Sequence, residues 1–416
     1  MASWKRRPPT SESAARRRAA ITVPLLASIA FANALGAVMF FPLGPFLARD
    51  LGVPVEDTAL TTTSYTIAAG IGGLVGALLL GGVSRRVAVL GSLCGLGVFA
   101  LATGLAPNFP LLLLARVCAG AFAGPLMAAV VTSIAEAVPE ERRNRAVSSV
   151  TGAYGLALVV GLPLALVLSA SAGGWRTPIL AVGVLYLLLL WPVWHLLGQR
   201  PGEPPPPPRP KVTVSGLLRL LGRGESITGL ALIGAASFAT LLVSPHIAAY
   251  ALGNVGISEE GLRLIYVIGG ALAVVTTRAT GTLMDRVGVL PASLTVGCVL
   301  TAVLVAAFAL PGPLWLVTVL LGTVLAVQLA RSTVAQGSAT RVALPAERMT
   351  YQCLVAATTS LGQGLGAAAS TLVLRERPDG GVDHIGWMVG ASIALAWLAP
   401  LLVMLLHRQL ARREAG

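Results

Sequence analysis

The stretch GTLMDRVG, residues 281–288, sets an acid–base pair directly after a long apolar run, and GGVSRRVA, residues 81–88, is a degraded copy of it. The copies stand 200 residues apart, with Arg85 in the place that Asp285 holds in the second. Another element repeats in the same order, AVPEERRNRA at 137–146 against ALPAERMTYQ at 343–352, at a spacing of 206. Two elements recurring in order at nearly one offset describe a chain of two similar halves. Between them GEPPPPPRPK, residues 202–211, cannot continue a helix and reads as an extended, solvated polyproline spacer.

The medium around these elements follows from composition. Hydrophobic residues make up 55% of the chain and charged residues 11%, with a mean hydropathy of +0.81, whereas about a quarter of a soluble domain is charged. A hydrocarbon core about 30 Å thick needs roughly 20 apolar residues per helix. Twelve stretches qualify, near 21–46, 59–83, 87–106, 110–135, 146–170, 177–198, 225–250, 262–284, 289–310, 313–337, 350–374 and 385–407. They must be helices, since lipid offers the backbone no partner and the stretches are too long for barrel strands. The expected fold is all-α and membrane-embedded: a basic tail (1–20), a six-helix bundle (21–198), a proline-rich linker (199–224), a second six-helix bundle (225–407) and a short tail (408–416). The first span is too long for a signal-peptide core and lacks a small-residue cleavage site, so it is expected to be retained.

The net charge of +13 reports topology rather than a nucleic-acid surface. Of the 30 Lys and Arg, five (Arg49, Arg176, Arg263, Arg375 and Arg377) fall in loops on one side and three (Arg116, Arg278 and Arg331) inside spans. All others fall on the opposite side, which the positive-inside rule makes the cytoplasm, with both termini there. The four cysteines all lie inside spans and outline neither a disulfide framework nor a metal site. No metal-ligand cluster, nucleophile constellation or large soluble domain supports an enzyme or a non-transporting receptor, and no cofactor is expected.

Duplicated halves around a midplane site are how many secondary transporters are built, and the motifs agree. The chain resembles the major facilitator superfamily over residues 20–408. That family's motif between second and third helices, G-x-L-A-D-R-x-G, is matched by Gly281, Leu283, Asp285, Arg286 and Gly288; in the first half only Gly81, Val83 and Arg86 match. LLLLARVCAG, with Arg116 and Gly120, is similar to the fourth-helix motif, with Ala119 where the family has glutamine. Gly161, Leu162, Pro163 and Leu164, then Gly174, Trp175 and Arg176, resemble the drug:proton antiporter branch that includes arabinose-efflux-like exporters; Ala165 replaces that motif's last glycine. The resemblance implies alternating access, a small-molecule substrate, proton coupling and an inner-membrane location; a monomer is expected.

The titratable groups leave the coupling open. All 17 acids fall in loops or within a turn or so of a span end, so no carboxylate is expected at mid-membrane. An unpaired arginine at the bilayer centre costs about 2.5 to 3.5 kcal/mol on the lenient scale, so Arg278 and Arg331 are expected to face a cavity or a hydrogen-bonding partner, and Arg116 to snorkel or bond to backbone. His246 is the one histidine away from the membrane ends, a protonatable cavity residue or a neutral, hydrogen-bonded one. Asn33, Tyr65, Tyr250 and Gln328 are further cavity candidates, with Tyr266, Gln336 and Gln363 behind them. Two transport readings follow: proton-driven export of amphipathic organic compounds, or exchange of organic anions on buried arginines. In the family the motif acid sits near the cytoplasmic start of a helix in the opposite half, where a helix N-terminus favours negative charge by about 0.3 to 1 kcal/mol. Asp285 with Arg286 is therefore expected to latch on the start of the fifth helix, and Arg85 with Arg86 to leave the matching contact, at the start of the eleventh, weak. Gly161 and Pro163 are expected to serve conformational coupling.

Overall fold

The computed structural model describes residues 11–79, 83–137, 153, 155–170, 173–197, 212–339, 341–344, 347–378 and 380–415. The polyproline stretch, Gly81 and the start of the fifth helix lie outside them, as does the side chain of Arg85. Among the described residues ten helices are long and apolar enough to cross a membrane. Two more occupy the fifth and eleventh places: Ala157–Ser169, described in part, and Arg348–Val373, which carries more polar residues. They form two six-helix bundles.

Prolines break the first and seventh spans at equivalent points. Pro42 has no N–H for the Val38 carbonyl and its ring crowds that oxygen, and the first helix stops there, Ser11–Val38 giving way to Phe40–Leu51 beyond Met39. Pro245, 203 residues later, ends Gly224–Val243, and the seventh span continues through the tight turn Ser244–His246, the turn Ile247–Ala249 and a wide turn at Tyr250–Asn254. The helices of both spans thus continue past the membrane stretches, which end near 46 and 250.

Glycines show the same duplication in the packing. A Cβ on Gly120 of the fourth span (Phe109–Ala137) would fall 2.2 Å from the Tyr65 carbonyl oxygen of the second (Leu60–Leu79). A Cβ on Gly322 of the tenth (Leu314–Ala339) would fall 2.9 Å from the Ile265 oxygen of the eighth (Glu259–Val287). Tyr65 and Ile265 are 200 residues apart, the spacing of the charged copies. Helix association in lipid depends on such backbone approach, because lipid tails are as apolar as leucine and drive nothing together.

The eighth helix reaches Val287, three residues beyond its expected end, and Gly288, at φ 90°, turns the chain into the ninth, Val289–Ala309. Asp285 and Arg286 therefore stand in the last helical turn rather than in a loop. Ser84 caps the third span (Arg85–Gly104), its hydroxyl accepting from the Val87 N–H at 3.4 Å.

Polar ties fasten the ends. Where the sixth span (Arg176–Leu196) begins, Asp50 accepts from the Trp175 indole at 2.9 Å and pairs with Arg176. The Arg176 guanidinium, with help from Trp175, holds the Asp50 carboxyl below the ordinary carboxylate range. At the terminal end of the second bundle Arg223 forks onto Glu347 at 2.6 and 3.1 Å, and Arg413, from the twelfth span (Ile385–Ala415), donates to the Val342 carbonyl at 2.9 Å. Arg223 follows the short helix Val214–Leu221, which falls inside the stretch expected to be linker.

Candidate functional site: the seam between the bundles

The bundles meet along the second, eleventh, fifth and eighth spans and the outer ends of the first and seventh. At the end opposite the chain termini, the Val55 N–H at the head of the second span donates to Glu376 Oε2 of the other bundle at 2.9 Å. Glu376 belongs to a hairpin of two-residue strands, Arg375–Glu376 and Val382–Asp383. Asn254 of the seventh span holds that hairpin through both the N–H and the carbonyl of Val382, at 2.8 and 2.9 Å. The broken outer end of the first span, Phe40–Leu51, lies on the broken outer part of the seventh, Ser244–Ala249.

Deeper in, Thr63 Oγ1 donates to the Gly364 carbonyl at 3.2 Å. Gly70 receives the eleventh span, its missing Cβ leaving 3.1 Å to Leu361 Cγ and 3.2 Å to the Ala357 oxygen. Gly270, 200 residues on, does the same for the fifth, where a Cβ would fall 2.6 Å from the Val159 Cα. Val159 sits in a wide turn, Ala157–Gly161, in which the Leu162 N–H reaches back five residues to Ala157. Pro163 explains the turn: lacking an N–H and crowding the Val159 carbonyl, it forbids the ordinary four-residue bond there. Gly161 also gives the first span room, a Cβ there falling 2.8 Å from Leu35. Gly161 and Pro163 thus shape the surface that Gly270 touches.

Gly270, Val274, Arg278, Gly281 and Asp285 follow one another at three- and four-residue steps on the eighth helix, so they share a stripe. Val274 still meets the fifth span near Gly155. Beyond it Arg278, Asp285 and Arg286 are exposed and have no bonded partner among the described residues. Arg86 lies against Trp194 of the sixth span, 3.8 Å from the ring centroid.

The other candidates fall into separate clusters. In the first bundle Tyr65 donates to Asn33 Oδ1 at 3.2 Å, and Arg116, buried, donates to the Gly36 and Thr61 carbonyls at 3.0 Å each between the rings of Phe40 and Tyr65. In the second, Arg331 is 3% exposed and turned toward the seventh and twelfth spans. Its Nη2 reaches Thr240 Oγ1 (3.0 Å), the Ala236 carbonyl (3.3 Å) and Gln328 Oε1 (3.4 Å); Nη1 reaches Ser392 Oγ at 3.5 Å. Its Nε has no partner, and the residue borders a cavity of about 10 Å³, the size of about one water. Tyr250 packs on Phe308 inside the second bundle, ring centroids 4.8 Å apart. Arg278 and Arg331 do not meet.

Among the described residues His246 and Glu56 stand at the seam, each with an unpartnered atom. His246 is fully buried, 2.7 Å from Ser370 of the eleventh span. Ser370 gives its own proton to the Ala367 carbonyl at 2.6 Å, so the ring Nε2 donates and Nδ1 is left as a bare acceptor. Glu56, one residue after Val55, is 8% exposed with Oε2 unpartnered. The sequence places Glu56 beside a span end but carries no sign that the hairpin and the seventh span cover it.

Known proteins share this architecture. A bacterial homolog of the human lysosomal transporter Spinster, solved in an inward-facing, unoccupied conformation, superposes over 95% of this chain and 98% of its own, with a TM-score of 0.74 at 14% identity. The purine ribonucleoside efflux pump NepI of Shigella sonnei (strain Ss046) is 26% identical over 262 residues, 62% of this chain and 64% of that protein. The inner membrane transport protein YdhP of Escherichia coli (strain K12) is 28% identical over 222 residues, 50% and 56% of the two chains. This chain thus spans less than two thirds of the length of these curated relatives. The sequence profile of the Major Facilitator Superfamily matches residues 26–367, and to that superfamily the chain belongs.

Proposed function

We propose that the chain is a secondary transporter working by alternating access, its bundles rocking about the seam, and that it exports small amphipathic organic compounds in exchange for protons. Among the described residues the seam is packed on one side, and this carries the reading. On the second span the approaches run from Val55 to Gly70, about 22 Å at 1.5 Å per residue, and on the eighth Gly270 meets Val159, while Arg278 and Asp285 stand exposed toward the termini. With the basic loops taken as cytoplasmic, this is the state open to the cytoplasm. The efflux pump among the relatives supports export and makes purine nucleosides the first compounds to test. His246 and Glu56, each with a free atom at the seam, are where a coupled proton would bind.

Flux of labelled purine nucleosides and a panel of amphipathic cations and anions, measured in proteoliposomes with and without an imposed pH gradient, tests the proposal. Flux driven by the gradient is expected. A rate indifferent to the gradient contradicts proton coupling, and saturable binding without flux contradicts transport. Exchange of organic anions is the second reading, favoured by Arg331, buried without a carboxylate partner among the described residues, and by exposed Arg278 on the seam stripe. Anion-for-anion counterflow without a pH response would establish it instead.

A further inference from the structure

Among the described residues three arginines lie over aromatic rings, and two of them have a second partner. Arg116 donates to two carbonyls and Arg176 pairs with Asp50. Arg86 has neither: its guanidinium lies on Trp194, its Nε is buried without a hydrogen bond, and no carboxylate pairs with it among the described residues. A guanidinium keeps its charge at any working pH and presents a fork of donors suited to a phosphate. It stands where the third span starts and the sixth ends, the depth at which lipid headgroups lie.

Directly beneath it runs a groove of about 500 Å³, open on its outer side, between Leu90, Gly91 and Cys94 of the third span and Leu190, Trp191, Trp194 and His195 of the sixth. Leu90 is one helical turn from Arg86. Gly91 contributes no side chain, and the space in front of it is empty. Trp191 and Trp194 are 71% and 57% exposed, the amphipathic rings that collect at the membrane–water boundary. The groove is thus apolar apart from His195, whose Nδ1 lies 2.9 Å from the Trp191 carbonyl, positive at its mouth and free of acidic lining.

We propose that this groove is a specific site for one anionic phospholipid, with its phosphate on Arg86 and an acyl chain laid between the third and sixth spans. A zwitterionic lipid fits less well. The Trp194 face that would attract a choline is occupied by the guanidinium, no carboxylate in the lining receives an ammonium, and Arg85 adds a second positive charge in the sequence.

The full chain in mixed micelles, titrated with phosphatidylglycerol or phosphatidylcholine carrying brominated acyl chains, reports occupancy through tryptophan quenching, the share from Trp191 and Trp194 being the part that Gly91→Leu removes. The expected half-quenching mole fraction is about fivefold lower for phosphatidylglycerol, the effect of roughly one basic side chain on an anionic lipid. Arg86→Gln should abolish that preference. Gly91→Leu, which grows into empty space and leaves the packing alone, should reduce quenching by both lipids, and melting curves confirm that each variant is folded. If Arg86→Gln does not fold, Arg86→Lys and Gly91→Leu carry the test, lysine keeping the charge and a weakened preference. Equal curves for the two lipids in the unaltered protein, or a preference that survives in every variant, overturn the proposal.

Discussion

Gly270 in the eighth span rests on the backbone of Val159 in the fifth, so closely that a methyl group on the glycine would fall 2.6 Å from the Val159 Cα. Backbone on both sides of the contact leaves nothing flexible to yield. Gly270→Leu is therefore expected to force the bundles apart there. Overpacking of this kind costs about 1 to 3 kcal/mol, which shifts the ratio of the two facing states by about 5- to 150-fold at 1.4 kcal/mol per decade. Cysteine accessibility at the hairpin end, compared with the unaltered protein, checks it; an unchanged pattern would show that the contact plays no part in closure.

Glu376 ties the hairpin to the head of the second span through the Val55 N–H. Glu376→Ala leaves that donor without its partner when the seam is closed, at a cost of about 1.5 to 3 kcal/mol for a hydrogen bond to a charged group. Glu376→Gln keeps an acceptor oxygen and should cost less. The graded order, alanine worse than glutamine, is to be read from protease or thiol-reagent access to the hairpin. Equal access in all three proteins would remove the bond from the gate.

Asp50 is held below the ordinary carboxylate range by Arg176 and the Trp175 indole. A depressed carboxyl contributes stability that is complete above the unfolded value, near about 3.9, and is lost as pH falls through the lower folded value. Trp175, 3% exposed, should therefore change its fluorescence only in acid below that range. Asp50→Asn should show no such acid transition in Trp175 emission.

Arg331 joins the seventh, tenth and twelfth spans, and among the described residues no carboxylate neutralises it. Arg331→Ala is expected to abolish transport while membrane insertion stays intact, measured as flux against the amount of protein in the membrane. Unchanged flux would take Arg331 out of the transport path.

The lipid phase makes the architecture legible in the sequence: backbone groups have no partner there, so each span must be a long apolar helix. The duplication was also written out, since Gly70 and Gly270 keep the 200-residue spacing of GGVSRRVA and GTLMDRVG. The rotation of each helix was not. Hydropathy cannot say that Arg331 turns toward Thr240 and Ser392, or that Tyr250 packs on Phe308. Nor could spacing bring Val55 to Glu376, 321 residues away, and cover Glu56 beside it. Span ends moved where a local breaker, such as Pro42, Pro245 or Gly288, acts on a scale finer than a hydropathy window.

The degraded copy makes a prediction about the terminal end. Arg85→Asp restores the acid that the repeat carries at 285 and should favour closure on the side of the termini. The label pair Val87–Val287 should then lie closer on average; unchanged distances would refute the latch.

Rocking about the seam is the central claim, and paired distances test it most directly. Spin labels at Arg49 and Trp387 report the hairpin end and labels at Val87 and Val287 the terminal end, in a chain whose four native cysteines are replaced. In the unaltered seam the first pair should be the shorter of its two states and the second the longer; Gly270→Leu should lengthen the first and shorten the second together. Two distances that move in the same direction, or neither moving, would contradict alternating access about this seam.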